Sequence, residues 1–239
     1  MLLDARNMDY TTLNEAIRQA DEEIEVVDCL GQRFIGAGFC NKNITIHGIP
    51  GNALGAYLNG AEITVHGNAQ DAVGDTMNAG KIVIHGNIGD AAGYAMRGGE
   101  IFAQGNAGYR AGIHMKEYGE KTPALVIGGC AGSFLGEYQA GGIIMVLGLN
   151  RGEKQIVHNF PCTGMHGGKL ILRGDCADIS FPKQVSAAAA TDADMVLIRK
   201  LVKEYCAAFG ADCEEILDAP FTVITPDNAN PYKQMYVAN

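Results

Sequence analysis

The sequence predicts an all-β fold, a single-stranded parallel β-helix of about seven turns with short flanking α-helices. Glycine accounts for 32 of 239 residues but proline for only seven, so the glycines do not belong to a flexible Gly/Pro linker. Apolar and polar residues alternate over short runs, as in a strand with one buried face. Both features recur every 19 residues, the signature of a solenoid whose stacked units share one core.

Residues 1–23 are predicted to form an N-terminal helical cap. Thr12 and Glu15 have the spacing of a capping box, and Ile17 and Ala20 follow on one apolar face. We expect this helix to cover the first open end of the solenoid, which would otherwise favour edge-to-edge association.

Residues 24–175 are predicted to form the β-helix itself. Three consecutive units read ITIHGIPGNALGAYLNGAE, ITVHGNAQDAVGDTMNAGK and IVIHGNIGDAAGYAMRGGE. Because one unit cannot bury its apolar face alone, each strand is expected to pair in parallel with its copy one turn away. The strands begin at an apolar column made of Ile44, Ile63, Ile82, Ile101, Leu125 and Ile144.

Glycine columns mark the bends of each unit. The first column follows the strand, where a positive φ or a tight bend is expected, and comprises Gly48, Gly67, Gly86, Gly105 and Gly129. The second is expected inside a second short strand and comprises Gly55, Gly74, Gly93, Gly112 and Gly136. A bulkier apolar column comes next: Leu58, Met77, Met96 and Met115. Asn68, Asn87 and Asn106 predict a hydrogen-bonded asparagine ladder.

Residues 176–239 are predicted to form a C-terminal helical segment and an extended tail. Thr191 and Asp194 open an amphipathic helix, and Gly210 is expected to end it. Asp212 begins another brief turn. The tail from Phe221 to the C-terminus is expected to be extended, and this helical flank is expected to cover the second open end of the solenoid.

Composition excludes several classes of function. The net charge of −9 disfavours a polyanionic partner such as DNA, so no nucleic acid is expected. No apolar run approaches the ~20 residues of a membrane helix, and the first residues lack the pattern of a secretory signal. The seven cysteines contain no C-x-x-C pair, which favours free thiols in a reducing cytoplasm over a disulfide scaffold or metal cluster.

The sequence contains only weak candidates for metal-binding, phosphate-binding or catalytic motifs. His47, His66 and His85 recur every 19 residues, and the favoured interpretation is an outward surface column, because stacking gives a line rather than a tetrahedral metal cage. The glycine clusters lack the Lys-Ser/Thr of a phosphate loop. His158, Cys162 and His166 offer a Cys/His pair, but nothing indicates a thiolate. The sequence therefore predicts no catalytic, cofactor-binding or metal-binding residue in this chain.

An insertion at residues 113–122 lengthens one turn and is a candidate partner contact. Its charged residues, His114, Lys116 and Glu117, lie near Arg110. Insertions in solenoids map to one face and often bind partners. General acid–base chemistry is one interpretation, and a salt-bridged docking loop is the favoured one.

The repeated pattern of Gly67–Gly74, Gly86–Gly93 and Gly105–Gly112 resembles the GXGXG domain, the C-terminal β-helix of the large (alpha) subunit of glutamate synthase. The likeness covers residues 24–175, and the whole chain resembles a stand-alone version of that domain. The β-helical subunit of formylmethanofuran dehydrogenase is similar. The resemblance implies a right-handed β-helix that is non-catalytic, with FMN and an iron–sulfur cluster held by partner subunits.

Three hypotheses follow for function. The first is a structural subunit of a glutamate synthase-like complex in ammonia assimilation, holding the amidotransferase and FMN synthase subunits, with homo-oligomers also open. The second is the β-helical structural subunit of a formylmethanofuran dehydrogenase. The third is a free-standing β-helix enzyme with a lateral groove, for which Asp71 and Asp90 are equivalent acidic positions that read better as turn residues.

Overall fold

The computed structural model describes residues 1–21 and 23–227. Its elements, in chain order, are β1 (Leu2–Asp4), α1 (Tyr10–Gln19), β2 (Glu23–Leu30), β3 (Asn43–Ile49), β4 (Asn59–His66), β5 (Ala79–Ile84), β6 (Glu100–Ala103), β7 (Ala124–Ile127), β8 (Ala140–Val146), β9 (Gly167–Arg173), β10 (Val185–Ala189), α2 (Asp192–Phe209), α3 (Cys213–Leu217) and β11 (Phe221–Pro226).

The strands form one 11-stranded sheet in the order β1-β2-β3-β4-β5-β6-β7-β8-β9-β11-β10. Strands β1 to β9 each pair in parallel with the next, which confirms the predicted class as a parallel β-solenoid of about eight turns with few helices. The sheet runs past residues 24 and 175 into both flanking segments. Among the described residues, no helix is long and apolar enough to cross a bilayer.

The interior of the solenoid is built from the predicted apolar columns. Ile44, Ile63 and Ile82 pair in register with one another, and the column continues through later strands at Ile101 and Leu125. These side chains are essentially fully buried. The predicted bulky column is also fully buried in the same core and consists of Leu58, Met77, Met96 and Met115.

The C-terminal helix covers the flank of the sheet, so the expectation that it covers an open end is wrong. In the later strands the outward positions are apolar too, and Phe102, Val126 and Met145 need a cover. Helix α2 supplies it with residues such as Ile198 and Tyr205, which share one buried cluster with them.

The predicted start and end of α2 and the predicted start of α3 are confirmed. Thr191 and Asp194 form a reciprocal capping box, and Gly210 ends α2 with a left-handed φ of 68°. Asp212 caps α3 by accepting from two backbone N–H groups.

The extended tail is a strand where the structure describes it. Strand β11 pairs antiparallel with β9 and with β10, so these two strands close the sheet after the last parallel turn. The remainder of the predicted tail, residues 228–239, lies outside the described residues.

Close packing between neighbouring coils is the main reason for glycine in the first column. Gly48 has a positive φ, whereas Gly86, Gly105 and Gly129 lie in bends without one, so the second of the two expected reasons applies to these three. A Cβ on Gly105 would lie 2.4 Å from Oδ1 of Asn87 in the preceding coil, closer than real Cβ atoms come. Glycine is therefore needed here to leave room for the asparagine ladder.

The second glycine column lies in a turn, so the predicted second strand is wrong there. Each coil contains a five-residue segment whose first, third and fifth residues have positive φ, and we call it the left-handed corner. The second column supplies the middle residue, where glycine adopts this backbone without strain. The corners span residues 34–38, 53–57, 72–76, 91–95, 110–114, 134–138 and 160–164.

Hydrogen bonds join each left-handed corner to both neighbours. The first and fifth N–H groups donate forward, as from Ala53 to the carbonyl of Asp71 (2.8 Å) and from Tyr57 to that of Asp75 (2.7 Å). The middle N–H donates backward, as from Gly55 to the carbonyl of Ile35 (2.8 Å). An end corner consequently carries groups that need a partner from outside the row.

Helix α1 closes the first left-handed corner. Its N-cap is Asp9, which accepts from the N–H of Thr12 at 2.7 Å, so the predicted Thr12–Glu15 capping box is wrong and the helix begins earlier. This hydrogen bond holds the pKa of Asp9 below its usual value. Leu13 and Ile17 are fully buried against the solenoid core.

Asn14 of α1 replaces a preceding coil. Its Nδ2 donates to the carbonyl of Arg33 at 3.1 Å, and its Oδ1 accepts from the N–H of Gly36 at 3.2 Å. These are two of the three groups at the first corner that would otherwise pair with an earlier coil, the third being the carbonyl of Ala37. The ring of Tyr10 lies against that of Phe34, with centroids 6.0 Å apart.

Candidate partner interface

Two polar ladders run between the coils. In the first, Oδ1 of Asn68 accepts from the N–H of Asn87 and Oδ1 of Asn87 accepts from the N–H of Asn106, each at 2.8 Å, which confirms the predicted asparagine ladder. In the second, Asp71 and Asp90 accept in the same way from the next coil, at 2.9 and 2.7 Å. These carboxylates hold coils together, which argues against a lateral groove with catalytic acids.

Aromatic rings, exposed except for the half-buried Phe134, lie at the left-handed corners of the later coils. The rings of Tyr109, Phe134 and Phe160 form one row with successive centroids 5.2 Å apart. A second row consists of Tyr94, His114 and Tyr138, with centroid distances of 6.0 and 5.2 Å. Together with Arg110 we call these rings the aromatic face. Exposed aromatic side chains next to arginine are typical of protein–protein contacts.

Arg110 is fixed within the aromatic face. Its Nε donates to Oε2 of Glu137 at 2.7 Å, and its guanidinium lies 4.9 Å from the ring centroid of Tyr109 and 5.2 Å from that of Phe134. The hydrogen bond to Glu137 raises the pKa of Arg110. Glu137 is only 7 % exposed, so the arginine is held by a buried carboxylate while it faces solvent.

The four residues predicted as a partner contact divide into two groups. Arg110 and His114 both belong to the aromatic face, where His114 stacks on Tyr138 at an interplanar angle of 9°. Lys116 and Glu117 lie beyond the corner in the insertion, where Oε1 of Glu117 accepts from the N–H of Gly142 at 3.2 Å. Glu117 therefore braces the loop against the next coil.

The histidine column forms the stack that the repeat predicts. The rings of His47 and His66 are 4.9 Å apart and those of His66 and His85 are 4.7 Å apart, and Phe209 of α2 closes the row edge-on. Burial and the neighbouring His66 lower the pKa of His85. Within residues 1–21 and 23–227, no three His, Cys, Asp or Glu side chains are arranged to hold a metal ion.

The Cys/His alternative has no activated thiol. Cys162 is fully buried, and burial raises its pKa to about 12, so it remains a neutral thiol near pH 7. Nδ1 of His166 lies 3.0 Å from the carbonyl of Gly164 rather than beside the sulfur.

Sequence reasoning missed most of the aromatic face. Arg110, Phe134 and Phe160 occupy equivalent corner positions, but two insertions separate them by more than one 19-residue period. Aligning the later coils on their left-handed corners, instead of on a fixed period, would have placed the three in one column.

The structure indicates a general class of protein, and comparison with known proteins shows the family. A parallel solenoid with two polar ladders and an exposed aromatic face has the character of a scaffold that binds other chains. The chain belongs to the family described as GXGXG motif, whose model matches residues 23–226.

One protein of similar sequence and one solved structure of similar fold were also found. An uncharacterized protein of Methanocaldococcus jannaschii is 40 % identical over 250 residues, covering 99 % of this chain and 96 % of that protein. The fold is also similar, with a TM-score of 0.65, to a chain in the formyltransferase/hydrolase complex FhcABCD of Methylorubrum extorquens, determined with methylofuran. That likeness has 20 % sequence identity and covers 92 % of this chain and 88 % of the other.

Proposed function

We propose that this chain is a structural subunit of a multi-subunit complex, in which it positions catalytic subunits and performs no reaction by itself. The observation that carries the proposal is the match to the GXGXG family over residues 23–226. The aromatic face supports it, because exposed rings around a fixed arginine suit a protein partner.

The complex we propose is of the glutamate synthase type. The repeat pattern resembles the β-helix of the glutamate synthase large subunit, and the chain would hold separate amidotransferase and FMN synthase subunits in the cytoplasm. FMN and the iron–sulfur cluster would belong to those partners. In this arrangement the solenoid sets the distance over which ammonia released at one site reaches the other.

A co-purification experiment tests this proposal. The tagged chain is expressed in its native host, and the amidotransferase and FMN synthase subunits should co-purify with it in constant ratio. Glutamine-dependent glutamate formation should require the chain together with both partners. Robust glutamate formation by the chain alone, or a stable complex with neither subunit, would contradict the proposal.

A second candidate is a subunit of a formyltransferase/hydrolase or formylmethanofuran dehydrogenase complex. The observation in its favour is the similarity to a chain of the FhcABCD complex over 92 % of this chain. The same purification separates the two candidates, because this one requires formyl-transferring or pterin-dependent subunits in the eluate in place of the amidotransferase.

The aromatic face can be tested as the contact. Arg110→Ala removes the guanidinium that joins the rings of Tyr109 and Phe134, and we expect partner affinity to fall about tenfold. Arg199→Ala removes an exposed arginine from α2 and is the matched control. Equal affinity of the two variants for the partner subunits would place the contact elsewhere.

A further inference from the structure

The last left-handed corner, residues 160–164, is an unfinished end of a hydrogen-bonded row. In every earlier corner the first and fifth N–H groups donate to the next coil, as from Phe134 to the carbonyl of Asn159 (2.9 Å) and from Tyr138 to that of Thr163 (2.8 Å). Among the described residues, none accepts from the equivalent N–H groups of Phe160 and Gly164.

The row of aromatic rings formed by Tyr109, Phe134 and Phe160 also ends at this corner, with no further ring stacked on Phe160 among the described residues. Phe134 covers one side of the Phe160 ring, and the Phe160 side chain is still 63 % exposed. The closing segment 176–185 buries the end of the apolar interior with residues such as Cys176 and Val185, yet it leaves this corner open. A cleft of about 240 Å³ remains between Phe160 and Pro161 on one side and Asp178 and Ser180 on the other.

The opposite end of the molecule shows the chemistry of a cap for this geometry. There, α1 supplies a carboxamide, that of Asn14, to the exposed backbone groups of the first corner and a ring, that of Tyr10, to Phe34. At the last corner the exposed groups are the N–H donors of Phe160 and Gly164 and the carbonyl of Pro161, so the complementary cap offers carbonyl oxygens and an N–H group together with an aromatic side chain.

We propose that this open end, the corner 160–164 with its cleft, docks an extended segment of a partner protein that adds one further turn to the left-handed row. Carbonyl oxygens of that segment accept from the N–H groups of Phe160 and Gly164, and one of its aromatic side chains fills the cleft and stacks on Phe160. The inference rests on the proposed function, because it assigns the contact of a partner subunit.

A second copy of the chain fits this end less well. In a head-to-tail arrangement the incoming copy would present its first corner, but α1 covers that corner, and Asn14 already pairs two of its three outward backbone groups. A helix commits its carbonyls within its own turns and caps a corner only through a side chain, as α1 does through Asn14, whereas an extended segment offers its backbone groups directly. An extended segment of a different protein offers both the backbone groups and the aromatic side chain that this end requires.

Two substitutions test the docking site. Phe160→Asn removes the ring but keeps a residue that tolerates positive φ, so folding is retained. Tyr57→Asn is the matched control, because Tyr57 is similarly exposed and also has a positive φ, but lies in an internal corner. The probes are the purified amidotransferase and FMN synthase subunits. Their affinity for each variant of the full-length chain is measured by calorimetry. Thermal melting checks that each variant is folded.

We expect Phe160→Asn to weaken binding about tenfold or more and Tyr57→Asn to change it less than about twofold. Hydrogen exchange at the amides of Phe160 and Gly164 should slow in the complex, whereas the amides of residues 53–57 should not change.

Wild-type affinity for Phe160→Asn, with unchanged exchange at both amides, overturns the docking site and leaves the proposed function standing. Absence of binding by the wild-type chain overturns the proposed function and this occupant together. A dimer of the chain alone that dissociates on Phe160→Asn makes the occupant a second copy and overturns the choice of a partner protein.

Discussion

The two ends of the left-handed row differ in what lies against them. At the first corner, Asn14 and Tyr10 of the chain's own helix replace a missing coil. At the last corner, the closing segment buries the interior while Phe160 stays exposed. A solenoid must end its apolar core on both sides to remain soluble, but it needs to end its hydrogen-bonded edge only where no partner will continue it. The difference teaches that the chain closes one end of the row with its own helix and leaves the other end open.

The largest effect is expected where α1 packs on the core. Ile17 is fully buried, and Ile17→Ala should lower the free energy of unfolding by about 2–5 kcal/mol. Phe160→Asn at the open end should change it by no more than about 0.5 kcal/mol. Denaturant titration measures both, and equal losses at the two ends would remove the distinction between them.

The hydrogen bonds of Asn14 should have the next largest effect. Asn14→Ala leaves the carbonyl of Arg33 and the N–H of Gly36 without their side-chain partner, and about 1–3 kcal/mol of unfolding free energy should be lost. Gln19→Ala removes an exposed carboxamide from the same helix as a control. A loss no greater than that of the control would show that Asn14 does not replace a coil.

Acid should destabilise the flank of the sheet where α2 begins. Hydrogen bonds from Lys169 and Thr191 hold the pKa of Asp194 at about 2, below the usual 3.8. The charged carboxylate therefore stabilises the fold above pH 4, and this contribution is lost as the pH falls from about 4 to 2.

The melting temperature of the wild type should accordingly exceed that of Asp194→Asn by a constant amount between pH 5 and 7. The gap should narrow below about pH 4. Phe160→Asn should follow the wild type across this range, since the open end contains none of these groups. A gap that does not depend on pH would contradict the role of the Asp194 charge.

The smallest effect is expected from the histidine column. The folded-state pKa of His85 is lowered, so the fold favours the neutral ring, and stability should decline as the pH falls below the unfolded value of about 6.5. His85→Gln should remove part of that decline in thermal melts between pH 7.5 and 5.5. If the stability of His85→Gln fell with pH as steeply as that of the wild type, groups other than His85 would be responsible for the fall.

The sequence predicted the fold correctly where a residue makes a local contact or the same contact in every coil. Ile63 and Ile82 repeat because each buries the same side chain in the same register, and the asparagine ladder repeats for a similar reason. Thr191 and Asp194 cap a helix through bonds within four residues. Such local or strictly periodic signals survive in the sequence whatever the rest of the chain does.

The remaining features depend on contacts between distant residues. The placement of α2 on the flank follows from apolar residues on the outward face of β6 to β8, such as Phe102 and Val126, a signal that the pattern of the interior columns does not reveal. The antiparallel closure by β11 depends on pairing with β9, about fifty residues earlier. The aromatic face is hidden in the sequence because insertions shift Phe134 and Phe160 out of period.

The insertion at residues 113–122 has a consequence for engineering. Its tip is a tight reversal in which Tyr118 and Lys121 exchange backbone hydrogen bonds, and Tyr118 is 67 % exposed. The extra residues leave the pairing of β6 with β7 in register, so the perimeter of a coil can grow at this point without disturbing its neighbours. The fold should therefore tolerate a fluorophore-binding tag or a protease site placed between Gly119 and Glu120.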